Sequence, residues 1–391
     1  MFVRYRSRRL AALAVTVVGF AAACGDQSAV PDHGAYSVRP IAAVYDDTAS
    51  RSRGILVESL RLGEHLLIAE EVDPDLSISR GGGVIADHDG VDGLLSAVQL
   101  AALRPFDVLG AFGAIAGNDQ LHNEAVDKAL TISLVALPSE ENAAAAAAAM
   151  AAADFGANAE NAPLPVPEFP AALTHWRPGV PTVGSWLVWK NLVIRVFAKV
   201  AEPRPEVLVD LLTRTYRAQL AELGTFTPTP AAELATARID RDGLLTRLVS
   251  TGDTTPDRKE FAVYGPRAYA LLLDRPMTRS RMFAEHRVSA IAVSHNKILY
   301  RTESPTAAES FDAAIQAGQA EEYVPMRGVS AAAEVSCFRA LRPDLRLVQA
   351  RRFTCLIRHD EFVVRVYSNQ ELDARQLAAA QYTLLADSQG S

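Results

Sequence analysis

The chain contains no Gly-x-Ser-x-Gly elbow, no Gly-Lys-Ser/Thr phosphate loop, no His-Glu-x-x-His and no Gly-x-Gly-x-x-Gly. The compact signatures of serine hydrolases, P-loop enzymes, zinc peptidases and dinucleotide-binding enzymes are therefore missing. Cysteine is scarce, with three in 391 residues and no Cys-x-x-Cys, which argues against a zinc site. No block of like charge suggests a nucleic-acid surface, and the formal net charge of −7 repels phosphate backbones. The uncharged stretch Leu10 to Ala23 covers fourteen residues, too short to span a bilayer.

What is present begins with an address. Arg4, Arg6, Arg8 and Arg9 precede that apolar stretch, which ends in Phe20-Ala-Ala-Ala-Cys24-Gly25. A basic start, a short greasy segment and small residues before a cut describe a secretory signal. The Cys after the small residues resembles a bacterial lipobox, in which the thiol takes a diacylglycerol and becomes the first mature residue. Ala21 departs from that pattern, where a branched residue is usual. An ordinary signal peptide cut near Cys24 without lipid is the alternative. Multiple acyl chains supply enough methylenes for stable anchoring where one does not. The lipobox reading thus places the protein at the outer face of a plasma membrane, attached through its N-terminal lipid. Loss of the four arginines would take the mature chain to about −11, by subtraction from the formal charge.

An apolar content of 49% excludes general disorder and provides for a large core. We expect residues 1–23 as leader, 24–50 as a flexible tether, 51–225 as a first domain and 226–391 as a second. Ile55 to Leu67, Ala143 to Ala153 and Pro205 to Leu223 have helical spacing or helix-favouring composition. Gly81-Gly-Gly83 is expected to be a mobile turn, and residues 157–183 a long irregular crossing. Ser185 to Val200 has strand character around a Lys190-Asn191 turn.

The second half repeats this order. Phe362-Val-Val-Arg-Val-Tyr367 mirrors Leu192-Val-Ile-Arg-Val-Phe197 at a spacing of 170 positions, and each is followed by a helical segment. Gly224 to Pro230 resists helix and sheet and is the expected connection. Hairpin turns at Lys190-Asn191 and Asp360-Glu361 favour α+β units over a parallel sheet. The expected architecture is two related domains, each an antiparallel sheet covered on one face by helices.

Cys337 and Cys355 lie in two alternating apolar runs, with turn chemistry at Pro343-Asp344 between them. Neighbouring antiparallel strands would bring them within disulfide reach, and an exported pair would be oxidised. Two buried thiols or a metal site are the alternatives.

Other candidates favour structure over chemistry. Asp87, Asp89 and Asp92 fail the calcium-loop spacing and are expected to form a solvated turn. The eight histidines show no ligand spacing. Trp186 and Trp189 sit on opposite faces of a strand, so one is assigned to the core and the other to a surface or groove, where it could serve as a saccharide or lipid platform. Tyr264-Gly-Pro-Arg267 fixes a turn at the start of the second half, from which Arg267 could meet a carboxylate or phosphate.

The lipobox, Glu71-Val-Asp-Pro-Asp75, Asp242-Gly-Leu-Leu245, the Tyr-Gly-Pro-Arg turn and Ala378-Ala-Ala-Gln-Tyr-Thr-Leu-Leu385 occur in order over residues 50 to 388. Together they resemble the mycobacterial and nocardial lipoprotein family built from paired domains of unknown function. The resemblance implies an envelope location and a two-domain plan, and a second-domain cysteine pair similar to Cys337 and Cys355. It implies no activity. The Cys-bearing strands, Val-rich strand and final helix also look similar to extracellular sensor domains of actinobacterial membrane kinases, a likeness of fold only. The functional expectation is non-catalytic binding of a small or amphiphilic ligand, or of a protein partner, between the domains. Candidate partners are an envelope lipid, a glycan or a protein, and neither nucleic acid, metal nor cofactor is expected. The rival expectations are a hydrolase whose triad is dispersed in sequence, and a structural or assembly protein of the envelope.

Overall fold

The computed structural model describes residues 31–40, 45–85, 94–118, 127–252, 256, 260–330, 332–342 and 351–387. Cys24 and the expected leader, the Asp87–Asp92 cluster and the turn expected at Pro343-Asp344 lie outside the described residues.

The first half runs α1 (Arg51–Glu64), β1 (Ile78–Val84), α2 (Ala97–Leu103), β2 (Gly110–Gly117), β3 (Ala129–Ala136), α3 (Glu140–Gly156), β4 (Ala162–Pro163), β5 (Leu173–Trp176), β6 (Thr182–Trp189), β7 (Leu192–Lys199) and α4 (Pro205–Leu223). The second runs β8 (Phe261–Tyr264), α5 (Pro266–Ala270), α6 (Pro276–Glu285), β9 (Val288–Ser294), β10 (Lys297–Thr302), α7 (Pro305–Gly318), β11 (Tyr323–Met326), β12 (Val335–Ala340), β13 (Phe353–His359), β14 (Phe362–Ser368) and α8 (Glu371–Asp387). Each half builds a seven-stranded antiparallel sheet. The first has the order β1-β2-β3-β7-β6-β5-β4, and the second, β8-β9-β10-β14-β13-β12-β11, is its topological copy. The mirrored hexamers are β7 and β14, which are central strands. The hairpins before them turn through Lys190 and Asp360, both left-handed with φ of 51°.

The α+β, two-domain antiparallel plan stands, but the helices do not keep to one face. Ala143, Ala146, Ala147, Met150 and Ala151 of α3 press on Val135, Val193 and Trp186. The opposite face, through Leu134, Leu192, Ile194 and Val196, meets α1 and α4. In the second sheet Cys355 meets α8, while Tyr300 meets Phe311 of α7 and Phe283 of α6. The physical reason is visible in β7 and β14, whose apolar residues run on without alternation, as strands buried on both faces require.

Three smaller expectations are corrected. Gly81-Gly-Gly83 is part of β1, not a mobile turn, and pairs with β2 across a bulge between Ser79 and Gly81. Gly81 and Gly83 have φ of +123° and +142°, and a Cβ on Gly82 would stand 2.9 Å from the Gly113 carbonyl oxygen. Glycine is there for close strand approach. The crossing at 157–183 contains β4, β5 and the start of β6, which extend the sheet. Part of the expected tether is docked: Tyr36 donates to Asp373 (2.8 Å), Gln376 donates to Asp32 (3.0 Å) and His33 meets Thr383 (2.9 Å), all on α8.

Candidate ligand site between the domains

The seam is built on α1. Ser50 caps its N-terminus by accepting from the Arg53 amide, and Leu56, Val57, Leu60 and Leu62 are buried. Glu58 is 1% exposed and would be costly without partners. It accepts from the Thr229 amide (3.0 Å), the Thr229 hydroxyl (2.5 Å) and Arg61 (2.5 Å). Arg61 also donates to the Thr227 carbonyl (2.8 Å) and lies 5.3 Å from the Phe226 ring centroid. The expected connection at 224–230 is thus lashed to α1.

At the other end of α1, Glu64 reaches the second domain. Its carboxylate accepts from the Ala268 and Arg267 amides at the start of α5. Burial raises its pKa above the usual value, and the two amides and the Arg267 charge oppose that rise. Gly265 is the residue before α5 and Pro266 its first residue, the position proline favours. The Tyr264-Gly-Pro-Arg segment is therefore a strand-to-helix junction. From it Arg267 turns back to the first domain, donating to the Leu66 carbonyl (2.8 Å) and to Glu71 (2.7 Å), with Glu222 at 3.7 Å. The expected carboxylate partner of Arg267 is present twice.

A cavity of about 110 Å³ opens beside these contacts. Val57 and Leu60 of α1, Ile239 and Val263 form apolar walls, and Arg61, Glu64 and Arg238 supply charge. Arg238 is 61% exposed, and among the described residues its ion-pair contact is a 3.8 Å approach to Asp46. Asp46 itself accepts from the Ile239 and Asp240 amides and pairs with Arg53. Chemically, the site offers a small apolar chamber with the exposed, loosely paired guanidinium of Arg238 at its edge.

The cysteines and tryptophans singled out in the sequence lie elsewhere, whereas Gly265 of the Tyr264-Gly-Pro-Arg267 segment lines the cavity. Cys337 and Cys355 face each other across β12 and β13 and form a disulfide, with Cα atoms 4.0 Å apart. Trp186 is fully buried, whereas Trp189 is half-buried with Lys190 4.1 Å from its ring. Glu58, Glu64 and Arg238 were not legible beforehand, since single charged residues in a helix or loop carry no spacing signal.

A second polar group lies under α2 and α3. His175 Nε2 is 3.1 Å from Asp154, and its ring stacks on Trp186 with centroids 5.4 Å apart. Asp154 also accepts from Gln99 (2.7 Å) and Ser96 (3.4 Å). Its pKa is lowered: burial acts to raise it, but His175, Gln99 and Arg195 together outweigh burial. Arg195 is lowered to about 10 by burial, with Asp154 opposing the fall. Among the described residues, no serine or cysteine hydrogen-bonds the second nitrogen of His175.

Two family profiles match successive parts of the chain: the N-terminal domain of unknown function DUF7373 over residues 45–239, and its C-terminal counterpart over residues 244–388. No curated protein matches. Among solved structures, the chain is similar to the extracellular domain of PknH from Mycobacterium tuberculosis, at 13% identity and a TM-score of 0.27. That similarity covers 45% of this chain and 99% of the other. The chain belongs to the DUF7373 family, whose two domains are the two halves described above.

Proposed function

We propose that this DUF7373 protein is exported, lipid-anchored at Cys24 and binds a small amphiphilic acid in the chamber between its domains, without catalysis. The observation that carries the reading is the 110 Å³ cavity walled by Val57, Leu60, Ile239 and Val263 with Arg238 at its edge. An engineered apolar cavity of about 150 Å³ takes up benzene, so this one suits a short chain or the end of a longer one. The leader sequence and the Cys337–Cys355 disulfide support an extracytoplasmic site. No helix among the described residues is long and apolar enough to cross a membrane. With Asp32 docked on α8, an anchor at Cys24 would hold α8 within about 30 Å of the bilayer, given ~3.5 Å per extended residue.

Calorimetric titration with octanoate, octanol and octylamine tests the reading. Octanoate is expected to bind and raise the melting temperature. Val263→Phe, which fills the chamber, should abolish the effect, and Arg238→Ala should weaken octanoate by about tenfold, the equivalent of 1.4 kcal/mol. Equal or absent responses to all three probes would remove the proposal.

A second reading, hydrolysis, is favoured by the His175–Asp154 pair alone. It requires ester cleavage that His175→Ala reduces by orders of magnitude, as removal of a general base does.

A further inference from the structure

The duplicated fold carries a duplicated arginine. Arg195 and Arg365 occupy equivalent positions in β7 and β14, 170 positions apart. Each lies on the sheet face covered by the helix that follows the third strand, α3 in one domain and α7 in the other. In the first domain a carboxylate accompanies the guanidinium: Asp154 lies fifteen residues after Ser139, the N-cap of α3. Counting the same distance from Ser304, the N-cap of α7, gives Gln319. The second domain has an amide where the first has its anion.

The surroundings of Arg365 supply no substitute. It donates to Gln319 Oε1 (2.9 Å) and Thr354 Oγ1 (3.3 Å), and no carboxylate among the described residues pairs with it. Its guanidinium lies 4.9 Å from the Tyr367 ring centroid and 5.8 Å from that of Tyr323. Arg351 lies 4.5 Å from the same Tyr367 ring, so two cations share one aromatic. The hydroxyl of Tyr323 donates to the Arg351 carbonyl (3.0 Å), fixing that segment beside the cage. Tyr300 is pushed up to about 12 by burial and stays a neutral hydroxyl at physiological pH, as does Tyr269. Neutral phenols solvate a guanidinium but do not neutralise it. Gln319 is 5% exposed, and its Nε2 is buried with no acceptor. An unmatched amide donor beside an unmatched cation costs stability unless an acceptor arrives.

We propose that Arg365, Arg351 and Gln319 of the second domain form a binding site for a phosphate group, carried either by free phosphate or by a phospholipid headgroup. Arg351 is exposed, so the cationic cluster has one member at the surface. A phosphoryl group has the several oxygens needed to accept from two guanidiniums and the Gln319 amide at once. The first domain is the internal contrast: there Asp154 stands near enough to favour the charged form of Arg195 electrostatically, although it hydrogen-bonds His175 and Gln99 rather than the guanidinium.

The test uses the whole chain at constant ionic strength. Sodium phosphate is titrated against sodium chloride by thermal shift and calorimetry, and phosphatidylglycerol vesicles are compared with phosphatidylcholine vesicles by co-sedimentation. The expected result is a phosphate-specific rise in melting temperature, binding selective for phosphatidylglycerol, or both; these outcomes identify the source. Arg365→Gln should weaken the response at least about tenfold. Gln319→Glu keeps the side-chain shape but restores the missing carboxylate. It is expected to raise the melting temperature and abolish the anion response, so loss of binding cannot be mistaken for misfolding. The site is overturned if neither phosphate source binds better than its control, or if Gln319→Glu leaves the response unchanged.

Discussion

Single residues at the seam have effects that local propensity misjudges. Gly54 lies inside α1, where alanine would ordinarily add about 1 kcal/mol of helix stability. Its Cβ would sit 1.8 Å from the Leu234 carbonyl oxygen, a backbone atom that cannot rotate away. Gly54→Ala is therefore expected to destabilise by about 1–3 kcal/mol, measured by urea unfolding. Glu64 offers a different signal. Its folded pKa lies above the unfolded value of 4.5, so its contribution to stability is greatest below pH 4.5 and falls as pH rises through the folded value. Glu64→Gln lacks that loss. The stability of the variant relative to wild type should grow from pH 4.5 toward pH 7, and a difference independent of pH would contradict the assignment. Neither effect can be read from sequence, because Gly54 and Leu234 are neighbours only in space.

At the scale of elements, the disulfide joins β12 to β13 within the second sheet and stands apart from the seam. For a loop of eighteen residues, replacing both cysteines by serine should cost roughly 3 kcal/mol on the chain-entropy model. Octanoate affinity should be unchanged in that variant below its melting temperature. A loss of affinity would mean that the strand pair supports the chamber. These strands were legible because the alternation of the cysteine-bearing runs, and the continuous apolar runs after Lys190 and Asp360, are local properties. The glycine run in β1 was not, since three glycines signal a turn unless a partner strand approaches closely enough to need them. The alanine helix α3 was legible as a helix, but its place opposite α4 was not. Alanine packs on either face of a sheet equally well.

At the scale of the whole molecule, one hydrophobic cluster runs through both sheets, including α1, the connection and α5, while a second lies under α2 and α3 in the first domain. Calorimetry should therefore show one unfolding transition for both domains rather than two. Arg267 crosses the seam with three acceptors, and Arg267→Ala is expected to cost about 1.5–3 kcal/mol, the range for hydrogen bonds to charged groups. Two separated transitions in the wild type would show that the domains unfold independently. Mass analysis of the membrane-extracted protein belongs at this scale too: a diacylated Cys24 and an intact leader are the opposite outcomes for the anchor.

The sequence alone determined the local features: strand and helix segments, the repeat of β7 by β14 and the two cysteine-bearing strands. These follow from side-chain spacing along the chain, which needs no partner to be recognised. Only the tertiary structure decided which faces the helices cover, that Arg267 bolts the halves together, and that Gln319 stands where the first domain keeps Asp154. Those outcomes depend on atoms brought together from segments far apart in the chain, and on the cost of burying charge once they meet.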